Sequence, residues 1–260
     1  MLTYTVQTAI RRNNRPNKPC EDYLIAGENC FVVADGVTQS AGEYHEGMET
    51  SRAAQAARMV AETVAAALTA AADPAAADPA AAAREAAERA VRAVAAYNAD
   101  NPGDFPAAAV YVAGVIREDT LHFSYVGDSM IALIRNGARI RLSEQQTGHL
   151  RVFGSTSGLH ITKRQMYDTI TNNAAHPLGY GVIDGDGRAL DFLRASRVAL
   201  QPGDRVIFSS DGIDKYLAFA PIGELASLGA EELLNRSEAF DTPPYNSYAD
   251  DKAVILIDVK

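Results

Sequence analysis

The chain has 260 residues, 47% hydrophobic and 22% charged, enough to bury a large core as one generous domain spanning 1–260. Its formal net charge of −9 argues against a nucleic-acid backbone or an anionic membrane as the main partner, and suits a protein that collects cations. The only cysteines are Cys20 and Cys30, no basic flank precedes an apolar core at the amino terminus, and no apolar run reaches membrane-spanning length, so the sequence reads as cytoplasmic with reduced thiols.

Residues 2–10, 22–27 and 30–35 are rich in Val, Ile, Tyr and Phe and predict short strands. From Glu46 to Tyr97 the sequence turns Ala-rich, broken once by "ADPAAADP" at 72–79. Met48, Met59, Val60, Val64, Leu68, Val91 and Val94 recur at near-helical spacing there, which predicts two packed helices joined by a turn. Strands resume at 107–116, 121–127, 130–135 and 138–142 as a predicted meander. Residues 144–191 are polar and glycine-rich and predict a mobile excursion over the surface. "SRVAL" (196–200) and "DRVIFSS" (204–210) flank the turn "QPG", helical sequence follows near 221–239, and "AVILIDV" (253–259) is the last strand. The order predicts an α+β fold of antiparallel sheets covered by helices.

Against this frame the acids are not scattered. Asp35 and Asp211 each end a strand before a glycine, and Asp128 follows Gly127 at the end of a third. Glu21 with Asp22, and Asp250 with Asp251, come immediately before strands. In antiparallel sheets the ends of some strands share a rim with the starts of their neighbours, so these five acidic sites can converge. Converging carboxylates repel one another and resist desolvation unless cations sit among them. Oxygen-only ligands select hard ions, magnesium or manganese before zinc.

In this order, "CEDY", "FVVADGV", "YVGDS", "IFSSDG" and "ADDKAVILI" resemble the metal-dependent type 2C protein serine/threonine phosphatases of bacterial type (the PPM family), over nearly the whole chain. The resemblance implies a four-layer α-β-β-α sandwich, two antiparallel sheets flanked by helices. It implies two magnesium or manganese ions, with Asp35 bridging them and the Gly36 carbonyl as a further ligand. Asp211 and Asp250 would hold the ion remote from Gly36, while Glu21 and Asp22 would orient water or complete its shell. Asp128 matches an aspartate that in bacterial relatives helps to hold a weaker third ion. Asp35, Asp211 and Asp250 are thus the expected catalytic set, for phosphate-monoester hydrolysis by metal-activated water with no protein nucleophile.

Departures from the family pattern lie around this set. The first Asp-Gly continues "DGVTQSAGEYHEG", without the adjacent histidine often found there, and His45 reads as a surface residue. Where the family places a phosphate-holding arginine this chain has Asn17, which leaves Arg15 and Lys18 as candidates, only Arg offering a bidentate fork. His176, in "HPLGYG", is a tempting general acid but reads as structural, and His149 has no evident partner. The expected function is hydrolysis of phosphoserine or phosphothreonine in proteins, opposing a serine/threonine kinase. The alternatives are a catalytically silent binding or regulatory module and a metal phosphatase of small phosphorylated molecules.

Overall fold

The computed structural model describes residues 2–38, 44–71, 78–157, 161–243 and 249–260. Parts of the loop after Gly36, of the "ADPAAADP" break and of the stretch before Asp250 therefore lie outside the described residues. One five-stranded antiparallel sheet has the order β1-β10-β9-β6-β7, built from Tyr4–Arg11, Lys252–Val259, Arg205–Ser209, Met130–Arg135 and Ala138–Arg141. The other has the order β2-β3-β4-β5-β8, from Asp22–Ala26, Cys30–Gly36, Ala109–Arg117, Thr120–Val126 and Arg194–Ala199. Phe31, Val33 and Val112 of the second sheet meet Ile131, Phe208 and Ile255 of the first in a shared inner core.

Helices cover both outer faces. On the second sheet lies α1 (Arg52–Ala70), paired with α2 (Pro79–Asp100). Ala56, Ala57, Val60, Ala61, Val64 and Leu68 of α1 recur every three or four residues and are all buried, so one stripe of small side chains lets the helix sit close to the strands. The helix begins at Arg52 and not at Glu46, because Ser51 Oγ accepts the N–H of Ala54 and caps it. Beyond α3 (Gly148–Ser157), three short helices near the carboxyl end, α4 (Asp214–Phe219), α5 (Ile222–Ser227) and α6 (Ala230–Ser237), contribute Leu217, Leu225 and Leu233 to the core over the first sheet. The result is the α+β four-layer sandwich that the resemblance implied.

Two expectations need correction. The meander is divided: β4 and β5 pair in one sheet, β6 and β7 in the other, and the chain crosses between them at 127–129. Likewise β8 and β9, either side of "QPG", belong to different sheets. The 144–191 tract is also less loose than its glycines suggested. Ile170, Tyr180 and Val182 are buried against Ala108 and Val110, and Ile183 bridges Ala109 in antiparallel fashion. Asn172 gives the reason: its side chain donates to Val182 O and accepts from Val182 N, standing in for a neighbouring strand.

Candidate active site

Asp22 opens β2 and Asp35 nearly closes β3, and the antiparallel register sets them directly opposite one another. On the adjoining edge of the other sheet, β9 and β10 run side by side, with Ser210 N donating to Ala253 O and Ala253 N to Ser210 Oγ. That pairing fixes Asp211, the next residue, beside the lead-in to β10, where Asp250 lies. Gly212 permits the approach: a Cβ there would stand 1.9 Å from Asp251 O. Gly36 is confined in the same way, since its Cβ would come within 2.6 Å of Ala53 O and 2.8 Å of Glu21 O. Both glycines following a rim aspartate are therefore required by close backbone packing.

Electrostatics show how near the acids are. Burial raises the Asp35 pKa well above the ordinary carboxylate value, and Asp22, Asp211, Asp250 and Asp128 push it further in the same direction. Asp22 is raised too, by burial and then by Asp251, with smaller pushes from Asp211 and Asp250 and an opposing hydrogen bond from Ser210. Asp22, Asp35, Asp128, Asp211 and Asp250 thus sense one another although they span most of the sequence.

Their neighbours in sequence behave differently. Glu21 Oε1 accepts hydrogen bonds from Tyr44 Oη at 2.9 Å and Ser51 Oγ at 2.6 Å, while Oε2 accepts from Thr38 Oγ1 at 2.6 Å and pairs with Lys18 Nζ at 3.1 Å. Asp251 Oδ1 accepts from the backbone N and the side-chain Nδ2 of Asn13, both at 2.7 Å. Its Oδ2 takes Lys18 Nζ at 2.7 Å and Glu21 N at 3.0 Å. With two donors on every oxygen, neither carboxylate keeps a lone pair for a cation. In this arrangement Glu21 is bonded within the framework of the site.

Lys18 points inward. It is 1% exposed, and besides Glu21 and Asp251 its ammonium reaches Asp250 Oδ1 at 3.5 Å, so it faces the acids and not a substrate. Burial pulls its pKa down, but Glu21, Asp251 and Asp250 outweigh that and the net shift is upward. Arg15, half-buried in the loop between β1 and β2, has its backbone N–H on Asn13 Oδ1 at 2.8 Å. Asp128 is half-buried and accepts from Thr147 Oγ1 at 2.8 Å. His45 and His149 are exposed, and His176 Nδ1 accepts the N–H of Leu178 within a turn. Burial, followed by Asp251 and Asp22, pushes the Cys20 thiol up and leaves it protonated.

The sequence offered no signal for Asn13, Thr38, Tyr44 or the inward course of Lys18.

Hard divalent ions fit the donor set on two observations. Asp22 Oδ2 is buried with no hydrogen-bond partner, an expensive state that a cation relieves. Its opposite number, Asp35, carries raised pKa and four acidic neighbours but no cationic group among the causes of its shift. Among the described residues no three His, Cys, Asp or Glu side chains close around one point as a finished cage. Oxygen-only donors suit ions such as magnesium, which keep several waters and take one or two carboxylates.

Comparison with known proteins agrees with this geometry. The chain is similar in fold to the serine/threonine phosphatase PstP/Ppp of Mycobacterium tuberculosis, with 18% identity, 99% of each chain covered and a TM-score of 0.70. A structure of the PstP catalytic domain in complex with two manganese ions matches at 18% identity, TM-score 0.70, covering 100% of this chain and 99% of that one. The PPM phosphatase MsPP of Mycobacterium smegmatis, in complex with cacodylate, matches at 20% identity, TM-score 0.61, with 98% and 97% covered. No curated protein sequence matched significantly. The sequence profile of Protein phosphatase 2C aligns with residues 11–239, a span that carries Asp22, Asp35, Asp128 and Asp211 in the order the rim requires, and by that match the chain belongs to the protein phosphatase 2C family.

Proposed function

We propose that the chain hydrolyses phosphoserine and phosphothreonine in proteins, with Asp22, Asp35, Asp211 and Asp250 and the Gly36 carbonyl holding two magnesium or manganese ions and Asp128 a weaker third. The observation that carries this reading is the buried, unpartnered Asp22 Oδ2 on a residue directly opposite Asp35, neither carboxylate having an ion pair among the described residues. When bound, such a pair of ions supplies Lewis acidity, making water nucleophilic near neutral pH and offsetting charge on the phosphoryl oxygens. The PstP catalytic domain, which shares this fold, is in complex with two manganese ions, in keeping with a two-ion reading.

The chain's own residues prepare this site before any ion arrives. Asp251 Oδ2 takes Glu21 N and Lys18 Nζ together, tying the start of β2 to the start of β10. Asp22 and Asp250, the residues adjacent to that tie, are thereby held at a fixed spacing. Glu21, anchored by Ser51 at the start of α1, transmits the same restraint to the helix. Arg15 is the candidate for the substrate phosphate now that Lys18 is committed inward. Burial and mutual repulsion disfavour the charged forms of Asp22 and Asp35, so a divalent ion bound between them would displace protons and relieve that cost.

The test uses metal-stripped protein, to which manganese or magnesium is returned, with a phosphoserine peptide and p-nitrophenyl phosphate as substrates. Turnover is expected only with metal. Asp35→Asn keeps the side-chain volume and should lower turnover at least on the order of 100-fold, with weaker manganese binding by calorimetry. Metal-free turnover, or an Asp35→Asn protein indistinguishable from wild type, would overturn the proposal. Cleavage of the aryl phosphate alone would favour a small-molecule phosphatase.

A further inference from the structure

A second concave site lies on the outer face of the β2-β3-β4-β5-β8 sheet, at the end away from the acidic rim. It is a cleft of about 360 Å³, within the usual range for small-ligand sites. Its location follows from register. Val115, His122 and Arg197 form one row across β4, β5 and β8, and Ala113, Ser124 and Ala195 form the next. The second row is of small side chains, so the space between the strands and the start of α2 is left hollow. Val115 stands five residues along β4 from Val110, the partner of Asp35, which at ~3.4 Å per residue puts the cleft about 17 Å from the rim.

Charge distinguishes this cleft from an ordinary packing defect. Arg117, His122 and Arg197 line it together. Arg117 Nε is buried with no hydrogen-bond partner, and among the described residues neither arginine enters an ion pair. His122 has its pKa lowered by burial and then by Arg117 and Arg197, with Asp78 opposing, which shows both guanidinium groups close to the imidazole. Asp78 lends the cleft one negative charge, but its carboxylate is occupied with Ala80 N as the cap of α2. The cationic side chains therefore lack an acceptor. Across the cleft, Leu68, Pro79, Ala82 and Ala83 supply an apolar wall.

We propose that this cleft binds a small organic phosphate monoester, its phosphate held by Arg117, Arg197 and His122 and its body lying against Ala82, Ala83 and Val115. Two planar guanidinium forks match the oxygens of a phosphate dianion, and the orphaned Arg117 Nε–H gains the acceptor it lacks. The apolar wall and the volume provide for more than the bare anion. This assignment is independent of the activity proposed at the rim.

The probe is phenylphosphonate, which cannot be hydrolysed, titrated calorimetrically into the metal-stripped full chain alongside inorganic phosphate. Saturable one-to-one binding of phenylphosphonate is expected, at least tenfold tighter than phosphate. Arg197→Gln and Arg117→Gln should each weaken it at least tenfold. Ala195→Leu should impair phenylphosphonate more than phosphate by filling the apolar side. Arg197 and Ala195 are exposed, so those two variants test the site even where Arg117→Gln disturbs folding. With manganese restored, Arg197→Gln should hydrolyse p-nitrophenyl phosphate within twofold of wild type, which separates failure here from failure at the rim. No saturable binding, affinity unchanged in the Arg197 variant, or equal affinity for phosphate, meaning an adventitious ion only, would each overturn the assignment.

Discussion

Glu21 and Asp22 are consecutive residues, as are Asp250 and Asp251, yet each pair divides between two opposite physical states. Glu21 and Asp251 are 1% and 3% exposed and fully satisfied: each has four donors, and Lys18 is shared between them. Asp22 is equally buried but keeps an oxygen with no partner, and Asp250 lies partly open beside it. Alternation explains the division, because successive residues on an extended chain face opposite ways. One member of each pair turns to the framework and the other to the rim. Clustered acids are therefore not one feature. Half of this cluster is a compensated knot that sets strand positions; in the other half Asp250 has only a long contact to Lys18 and Asp22 keeps an oxygen with no partner.

The sharpest way to break the comparison is to remove its cation. Lys18→Met keeps much of the side-chain volume but strands Glu21 and Asp251 as buried charges, and breaking such a cluster costs about 3–5 kcal/mol. Urea denaturation of metal-stripped protein should show that loss. A midpoint close to that of wild type would mean that the neutral donors suffice and Lys18 is incidental.

Asp184 supplies an intermediate case, a buried carboxylate with neutral donors but no bonded cation. Its Oδ1 accepts from Asn172 Nδ2 and Asp186 N, both at 2.9 Å. Burial raises its pKa to about 6 against these opposing hydrogen bonds. In the folded state it holds a proton that the unfolded chain has already released, so its contribution to stability is fully present below about pH 4 and is lost as pH rises through about 6. Asp184→Asn keeps an oxygen acceptor without charge. It should raise stability at pH 7.5 by roughly 1–3 kcal/mol and leave it unchanged at pH 4. Parallel stability curves for the two proteins between those values would refute the intermediate assignment.

Much of this was legible in the sequence, for identifiable reasons. Strands rich in Val and Ile announce themselves locally, and the rim acids were read from their places at strand ends and starts, Asp35 and Asp211 from Asp-Gly. The Ala-rich helices were legible because one stripe of each is apolar. What sequence could not disclose was non-local. Lys18 lies in a basic turn, "RPNKP", that looks solvated, and only its approach to Asp251, 233 residues away, turns it inward. The docking of Tyr180 and Val182 was hidden in the same way: alternating glycines disguised a segment that uses Asn172 as a surrogate strand. The division of the meander between two sheets likewise depends on a crossing at 127–129 that reads as an ordinary turn.

The smallest effect sharpens the comparison most, because it asks whether the knot is redundant. Tyr44 donates to Glu21 Oε1, which also accepts from Ser51, while Lys18 and Thr38 serve the other oxygen. Tyr44→Phe removes one hydrogen bond to a charged group and leaves the ring in place, so about 1–2 kcal/mol of stability should be lost. Because Glu21 retains Lys18, no uncompensated charge is created, and the loss should stay well below that of Lys18→Met. Manganese affinity should hardly change, since the hydroxyl serves the framework carboxylate and not the rim. Calorimetric titration of the variant with manganese, set beside its urea midpoint, reads the two quantities separately. A Tyr44→Phe protein with unaltered stability but impaired manganese binding would place Glu21 among the metal-facing acids and dissolve the division between adjacent residues on which the comparison rests.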